Sequence, residues 1–216
     1  MVEDIRNVQN IESIKEFQAI YTKPHCIVLD SEYCSMGRMI GLLACKESNY
    51  TYYDSLTLLE LIDNEITYEE VKKYEDTLRK HELSKDEMIN NPDYQRISTL
   101  YSKAIDIALK NGPCLIHDRA SKQIVIDKGY SCISVLTYAL DLKSKIVRAK
   151  ISPLYKDIDD DLEIIKNIKE EDMIRRNYHK AQNDTVWADK EAYDMCINTD
   201  AFGREYSAKL LAMITR

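Results

Sequence analysis

A polar loop between an apolar strand pattern and an apolar helix pattern is the segment of this sequence best suited to chemistry. Residues 26–29 read C-I-V-L, residues 31–38 read S-E-Y-C-S-M-G-R, and residues 39–44 read M-I-G-L-L-A. In this order, the backbone N–H groups of the loop and the positive end of the helix dipole converge and can bind a phosphate. Gly37 is the only glycine in the loop, whereas such loops usually contain several.

The loop belongs to a regular alternation of strand and helix patterns. Short apolar runs separated by helical patterns predict a parallel sheet that is covered by helices on both faces. The strands are predicted at 26–29, 50–53, 114–117, 132–138 and 193–199. The helices are predicted at 11–21, 93–110, 141–149, 160–180 and from Phe202 to Met213, and the charged stretch 55–90 is mostly helical in pattern.

Several polar residues follow the predicted strands directly. Ligands of parallel sheets bind beyond the carboxyl ends of the strands, because the loops there meet at one rim. The sequence therefore places four polar segments near the same rim, namely 30–38, Asp54, 118–119 and 198–200. This convergence strengthens the interpretation of the first loop as a phosphate site.

Composition limits the classes of function. The chain of 216 residues carries a net charge of −7 and contains 44% apolar and 31% charged residues, which is typical of one globular domain. No basic stripe is present that would neutralise a nucleic acid polymer, although the Lys and Arg residues between 143 and 180 suit the few charges of a nucleotide. No run is long enough to span a membrane, and the first ten residues do not resemble a signal sequence, so we expect a cytoplasmic protein.

The cysteines predict neither a metal site nor disulfides. They lie at positions 26, 34, 45, 114, 132 and 196, far apart and without a C-x-x-C pair. Reduced thiols in apolar runs behave as small hydrophobic side chains, and this use fits a reducing compartment. Cys34 alone has a second interpretation, because a helix N-terminus lowers the pKa of a thiol.

The order of motifs resembles the cytidylate-kinase-like proteins, which are P-loop relatives of the nucleoside monophosphate kinases. That family opens with S-R-E-Y/F-G-S-G-G-R, and residues 30–38 read D-S-E-Y-C-S-M-G-R. The family's Y-Y-D matches residues 52–54, and its G-P-C-V-I-V-G-R-C/A-A matches G-P-C-L-I-H-D-R-A at 112–120. The resemblance extends from residue 26 to the C-terminus.

The last block of the resemblance agrees best in spacing. The family has D-x-x-R, a Trp twelve residues after that Arg, and then Y-D-L-C-L-N-T. Here D-x-x-R occupies 172–175, the tryptophan is Trp187, and Y-D-M-C-I-N-T occupies 193–199. All three parts are therefore in register with the family.

The resemblance implies an α/β fold of the P-loop NTPase type. This fold is a three-layer sandwich in which about five parallel strands are covered by helices on both faces, with a helical lid at about 155–190. It also divides the chain into an N-terminal helical extension, 1–22, and a cytidylate-kinase-like domain, 23–216.

The resemblance further implies ATP and Mg²⁺ as cofactors and a nucleotide or small molecule as acceptor. Phosphoryl transfer needs mainly positioning and positive charge, which arginine supplies through bidentate donors. The implied catalytic residues are Arg38, Arg119 and Arg175. The implied cofactor-binding residues are Cys34, Ser35, Met36, Gly37, Arg38 and Asn198. The implied acceptor-binding residues are Asp54, Asp118, Arg119, Lys145 and Arg148.

The sequence departs from the family pattern within the site. Cys34 and Met36 replace two glycines, Ser31 replaces an arginine, and Asp118 replaces the glycine before Arg119. Where the loop requires φ > 0, each non-glycine residue costs about 1–2 kcal/mol. Gly37 occupies the position of the P-loop lysine, so Arg38 would have to take over its role.

Two functions are therefore open. The first is a kinase that transfers the γ-phosphate of ATP to a CMP-like or other small acceptor. The second is a catalytically impaired kinase-fold module that binds a nucleotide or a protein partner without turnover. Neither function involves a nucleic acid polymer or a membrane, and the N-terminal helix suits a homodimer contact.

Individual residues also have structural interpretations. Asp54 is equally typical of a helix cap, and Arg175 could pair with neighbouring carboxylates on its own helix. Trp187 is more typical of packing in the core or lid than of base stacking, and His117 is typical of a partly buried histidine with hydrogen-bond partners.

Overall fold

The computed structural model describes residues 22–63, 65–118, 121–155 and 157–216. The predicted N-terminal helix at 11–21 and the predicted catalytic residue Arg119 lie outside the described residues. In the described part of the chain, no helix is both long and apolar enough to span a bilayer.

Five parallel strands form one sheet, in the spatial order β2-β3-β1-β4-β5. The central strand β1 is buried along its whole length and has neighbours on both sides. The chain leaves β1 toward β2 on one side, whereas β4 lies on the other side, so the loop after β1 emerges where the strand order reverses. Ligands of open α/β sheets bind at such a point. The strands are β1 Cys26–Ser31, β2 Thr51–Asp54, β3 Cys114–His117, β4 Cys132–Tyr138 and β5 Met195–Asn198.

Helices connect the strands and cover both faces of the sheet. The first six are α1 Gly37–Lys46, α2 Ser55–Glu60, α3 Tyr68–Leu78, α4 Lys85–Ile89, α5 Pro92–Lys110 and α6 Lys122–Asp127. The last three are α7 Leu142–Ile151, α8 Asp161–Gln182 and α9 Thr199–Met213, with a short 3₁₀ helix at Lys190–Ala192.

The side chains of β1 show how the three layers form. Cys26 and Val28 pack into a core with α2, α3, α5 and the second half of α8. Ile27 and Leu29 point to the opposite face and pack against α1 and α9. Alternate residues of a strand face opposite sides, so an uninterrupted apolar run requires a cover on both faces. The predicted three-layer α/β fold with five parallel strands is confirmed.

The connection between β2 and β3 is mostly helical, as its pattern predicts. Three separate helices, α2, α3 and α4, make up most of the stretch 55–90. Thr67 and Ser84 start α3 and α4 through capping boxes with Glu70 and Glu87, and these capping signals divide the region. Helix α6 is an element that the periodicity did not predict.

A third, smaller core connects the predicted lid with the loop after β1. Ala149 from α7 and Tyr155, Ile164 and Ile168 from the predicted lid form this core, and Tyr33 and Cys34 of the loop pack against it. The predicted lid thus contacts the loop through Tyr155, Ile164 and Ile168, and its main element is α8.

Candidate functional site

The loop between β1 and α1 has the backbone conformation of a glycine-rich loop. Cys34 has φ of 62° and Met36 has φ of 66°, both in the left-handed region that favours glycine. These are the two positions at which the related family has glycine. The loop therefore keeps the conformation that glycines normally allow and places two side chains in it.

Gly37 must be a glycine because of a close approach rather than its φ. A Cβ atom at Gly37 would lie 2.5 Å from Ser31 Cβ and 3.0 Å from Thr137 Oγ1. The first turn of α1 therefore passes directly over the ends of β1 and β4. This contact fixes the distance between the helix N-terminus and the rim of the sheet.

The N-terminus of α1 is available to an anion. In the described part of the chain, no side chain caps this helix, since the N-cap residue Met36 has no polar group. The first-turn N–H groups of a helix lack partners within the helix, and the dipole gives this end a positive partial charge. By contrast, Asp54 caps α2 and Asn198 caps α9, through Thr57 N and Asp200 N respectively.

Hydrogen bonds to β4 and α7 hold the loop in place. The buried Ser35 hydroxyl donates to Thr137 O at 2.9 Å. Glu32 accepts a hydrogen bond from Ala139 N and forms an ion pair with Lys145 at 2.7 Å. Since both ions of this pair are largely buried, removing either one would leave an unpaired charge.

Lys145 and Arg148 lie beside the loop rather than in the cleft described below. Arg148 donates to Cys34 O at 3.3 Å and pairs with Asp200 at 2.7 Å. The two cations thus connect the loop to α7 and to the start of α9. The structure brings them close to the predicted phosphate position and not to the predicted acceptor residues Asp54 and Asp118.

An open cleft of about 170 Å³ lies beyond the ends of β1, β2 and β3. It brings together four of the predicted site residues, Arg38, Asp54, Asp118 and Arg175. Its remaining lining residues are Asp30, Ser31, Ser55, Leu56, Tyr68 and His117. The cleft therefore combines two arginines with carboxylates and neutral hydrogen-bonding groups.

The two arginines reach the cleft from distant parts of the sequence. Arg38, in the first turn of α1, forms an ion pair with Asp54 at 3.3 Å. Arg175, on α8, lies over the Tyr33 ring, with its Cζ 5.2 Å from the ring centroid. It also donates a hydrogen bond to Glu171 O at 2.8 Å. Arg38 is largely exposed, whereas Arg175 is largely buried.

The carboxylates of the cleft also have structural partners. Asp54 caps α2, as the helix-cap interpretation predicts, and Asp118 accepts a hydrogen bond from Ser55 Oγ at 2.8 Å. Asp30 accepts from Trp187 Nε1 at 3.0 Å and from Tyr193 OH at 2.7 Å. Asp30 thereby connects the end of β1 with the segment that follows α8.

His117 joins the first three strands at the floor of the cleft. One ring nitrogen lies 2.9 Å from Ser31 Oγ and the other lies 3.1 Å from Tyr52 OH. Both nitrogens are therefore engaged, as the interpretation of a satisfied histidine predicts. Ser31, at the position of a family arginine, contributes this hydrogen bond in place of a positive charge.

Asp172 is the site residue for which sequence reasoning assigned no role. Its Oδ1 accepts a hydrogen bond from Tyr33 N in the loop, at 2.6 Å, and lies 4.0 Å from Arg175 Nη1. Burial raises the pKa of the Asp172 carboxyl to about 6, and the nearby Arg175 and Lys145 oppose this increase. The D-x-x-R spacing was the available signal, because residues three apart share one helix face.

The positions of Asn198 and Cys34 indicate a structural role for both side chains. Asn198 ends β5 and caps α9, at the same rim as the loop. Burial raises the pKa of the Cys34 thiol to about 11, so that the reactive thiolate is scarce at neutral pH. All six cysteines are free thiols.

The donor set of the cleft does not form a metal site on its own. Within the described ranges, no group of three or more His, Cys, Asp or Glu residues is placed to hold a metal ion. Mg²⁺ in phosphoryl-transfer sites usually takes only one or two carboxylates together with substrate phosphates and water. Asp54 and Asp118 are carboxylates of the kind that this arrangement requires.

The fold and the loop define an α/β protein of the P-loop kinase type. The sequence model described as "Cytidylate kinase-like family" matches residues 26–201. The chain therefore belongs to the cytidylate kinase-like family, as its motifs indicate.

Comparison with solved structures supports the fold and assigns no activity to this chain. An uncharacterised protein from Eubacterium ventriosum has a similar crystal structure, with a TM-score of 0.60, 19% identity, and coverage of 89% of this chain and 96% of that chain. A shikimate kinase from Acinetobacter baumannii, solved with shikimate, has a TM-score of 0.45, 15% identity, and coverage of 91% and 96%. Among proteins with curated descriptions, none matches.

Proposed function

We propose that this protein is a nucleoside monophosphate kinase-like phosphotransferase that moves the γ-phosphate of ATP to a CMP-like or other small acceptor. The observation that carries the proposal is the convergence of Arg38 and Arg175 on one cleft beside the loop. Membership of the cytidylate kinase-like family supports the same reaction class. We also propose that the protein acts in the cytoplasm, where its free cysteines would stay reduced.

The donor side of the site would be the loop and the start of α1. The uncapped helix end and the glycine-like backbone at Cys34 and Met36 suit the phosphates of ATP. Behind the loop, Lys145 and Arg148 are two cations that each pair with a carboxylate. Bound ATP with Mg²⁺ would supply the phosphoryl group, and the ion would be held through its phosphates and through water by Asp54 or Asp118.

The acceptor side would be the cleft itself. The Asp118 carboxylate offers an acceptor to hydroxyl or amino groups, and Leu56 and Tyr68 offer apolar surface. Arg119 is proposed as a further acceptor or phosphate contact by its place in the family motif.

The chain's own contribution to catalysis would be electrostatic. Negative charge spreads over the equatorial oxygens of the transferred group, and preorganised cations stabilise it. Arg38 would approach this group from the helix N-terminus, and Arg175 would approach it from α8. No general base is required for this contribution.

A catalytically impaired module remains the second candidate, and two observations favour it. Side chains at Cys34 and Met36 occupy positions where a phosphate loop normally has none. In addition, the Asp172 carboxylate accepts a hydrogen bond from the backbone N–H of Tyr33 in the loop. Either feature would weaken phosphate binding.

Calorimetric titration distinguishes the two candidates. The protein is titrated with ATP, with and without Mg²⁺, and then with CMP, and the titrations are repeated with Arg38→Ala and Arg175→Ala. Arg176→Ala is the matched control, because Arg176 adjoins Arg175 on α8 but pairs with Glu82.

Micromolar binding of both ligands that is lost in Arg38→Ala and Arg175→Ala, but kept in Arg176→Ala, would support the kinase. A coupled assay of ADP release would then be run across acceptors. Absence of heat with any nucleotide at millimolar concentration would rule the kinase out and leave a kinase fold that serves a protein partner.

A further inference from the structure

A carboxylate and a backbone amide meet in the phosphate loop. The Asp172 side chain comes from α8, which is far from the loop in sequence, and its Oδ1 accepts from Tyr33 N at 2.6 Å. The side chain is 18% exposed, so the contact is largely shielded from water. Hydrogen bonds between an ionised acceptor and an N–H group in such surroundings are strong.

The surroundings of this carboxylate are those that a phosphate oxygen would meet. Arg175 Nη1 lies 4.0 Å away. Burial and the nearby Glu32 raise the pKa of Asp172, whereas Arg175 and Lys145 lower it. An oxyanion on a loop amide beside an arginine is the arrangement expected of a bound phosphate. Asp172 therefore stands in the position of an anionic ligand.

We propose that the Asp172 carboxylate is a built-in occupant of the phosphate loop, which a donor phosphate must displace, and that Asp172 thereby sets the affinity of the loop for polyphosphate. The inference rests on the proposed function, since it assigns the loop to a phosphate donor. Two anions do not share one amide, and their repulsion in a shielded site is large.

Displacement of Asp172 also has a consequence for Arg175. The two residues lie three positions apart on α8, and Arg175 stacks on the ring of Tyr33, whose amide Asp172 holds. When the carboxylate leaves the loop, this turn of α8 loses its hydrogen bond to Tyr33. Arg175 then loses one of its neighbouring carboxylates, so more of its charge is available to the incoming phosphate.

Tripolyphosphate without a base or metal tests the inference, because it probes the loop alone. Its dissociation constant is measured by calorimetry for the wild-type protein, Asp172→Asn and Asp172→Ala. The Asn variant keeps an oxygen acceptor for Tyr33 N and removes the charge, whereas the Ala variant removes both. Glu170→Gln is the matched control, since it removes a carboxylate from the same helix that faces Lys166. Thermal unfolding confirms that each variant is folded.

We expect both Asp172 variants to bind tripolyphosphate about tenfold or more tightly than wild type, and Glu170→Gln to bind it like wild type. Equal or weaker binding by folded Asp172→Asn and Asp172→Ala overturns the inference. Tighter binding without ATP turnover on any acceptor supports the inference and rejects the kinase. If the wild-type protein turns over ATP and both Asp172 variants bind tripolyphosphate with the wild-type affinity, the kinase is supported and the inference is rejected. If neither the wild-type protein nor any of its variants binds tripolyphosphate, the kinase and the inference are both rejected.

Discussion

The indole of Trp187 donates its Nε1 hydrogen to Asp30 Oδ2 at 3.0 Å, which joins the segment after α8 to the end of the central strand. Both residues are buried, and Tyr193 OH donates to the same oxygen. The Trp and strand blocks of the sequence thus meet at one buried carboxylate. Their common register reflects a single structural connection between the predicted lid and the sheet.

Trp187→Phe should weaken this connection. The change removes one donor from a buried carboxylate and leaves a smaller ring, so we expect a loss of about 2 kcal/mol in the free energy of unfolding. Urea unfolding followed by circular dichroism measures it. Tyr193→Phe, which removes the other donor and little volume, should cost about 1 kcal/mol. A Trp187→Phe variant as stable as wild type would contradict a structural role for this hydrogen bond.

The sheet could be predicted from sequence because its signals are local. The apolar runs at Cys114–His117 and Cys132–Tyr138 are bounded by Gly, Pro and polar residues, and both strands have the predicted limits. The N-cap role of Asp54 was one of its two interpretations from sequence, because Asp54 follows a short strand. These features depend on neighbours within a few positions, which a sequence shows directly.

The partners of the site residues could not be predicted in this way. Lys145 carries the same charge as Arg175, but it pairs with Glu32 beside the loop, whereas Arg175 lines the cleft. The contact of Asp172 with Tyr33 N joins residues that are 139 positions apart. Such contacts depend on how α7 and α8 pack on the sheet, and periodicity carries no information about that packing.

Gly37→Ala should destabilise the protein through its contact with Ser31. The added methyl group would lie 2.5 Å from Ser31 Cβ, so the start of α1 must shift, at a cost of about 1–3 kcal/mol. Chemical denaturation measures the loss, and nucleotide titration should show weaker binding because the helix N-terminus has moved. Ser31→Gly in the same chain removes the nearest clashing atoms, so the two changes together should cost less than the sum of their separate costs. If the costs of the two changes simply add, the close approach of residue 37 to Ser31 is not the cause of the lost stability.

Cys34→Gly should stabilise the protein, although glycine usually weakens a fold. At φ of 62°, the cysteine side chain costs about 1–2 kcal/mol, which exceeds the about 0.5–1 kcal/mol that glycine adds through the unfolded chain. We expect a net gain of about 0.5–1 kcal/mol in the free energy of unfolding. Cys45→Gly, within α1, is the control and should lose about 1 kcal/mol. A destabilised Cys34→Gly would mean that the packing of Cys34 against the lid outweighs the backbone strain.

Asp172→Asn should raise stability at neutral pH, and the gain should shrink as the pH falls. The folded-state pKa of about 6 lies above the ordinary 3.8, so the folded protein holds the proton more tightly than the unfolded chain does. Between these two values, stability therefore falls as the pH rises, and it is lowest above pH 6. The Asn variant has no ionisation at this position and keeps an acceptor for Tyr33 N, so its advantage should reach about 1–3 kcal/mol at neutral pH. Urea unfolding of both proteins in a series of buffers between about pH 4 and about pH 8 measures the difference.

Glu170→Gln, on the same helix, is the control and should change the free energy of unfolding little over that range. An advantage of Asp172→Asn that does not vary with pH would show that Asp172 has an ordinary pKa.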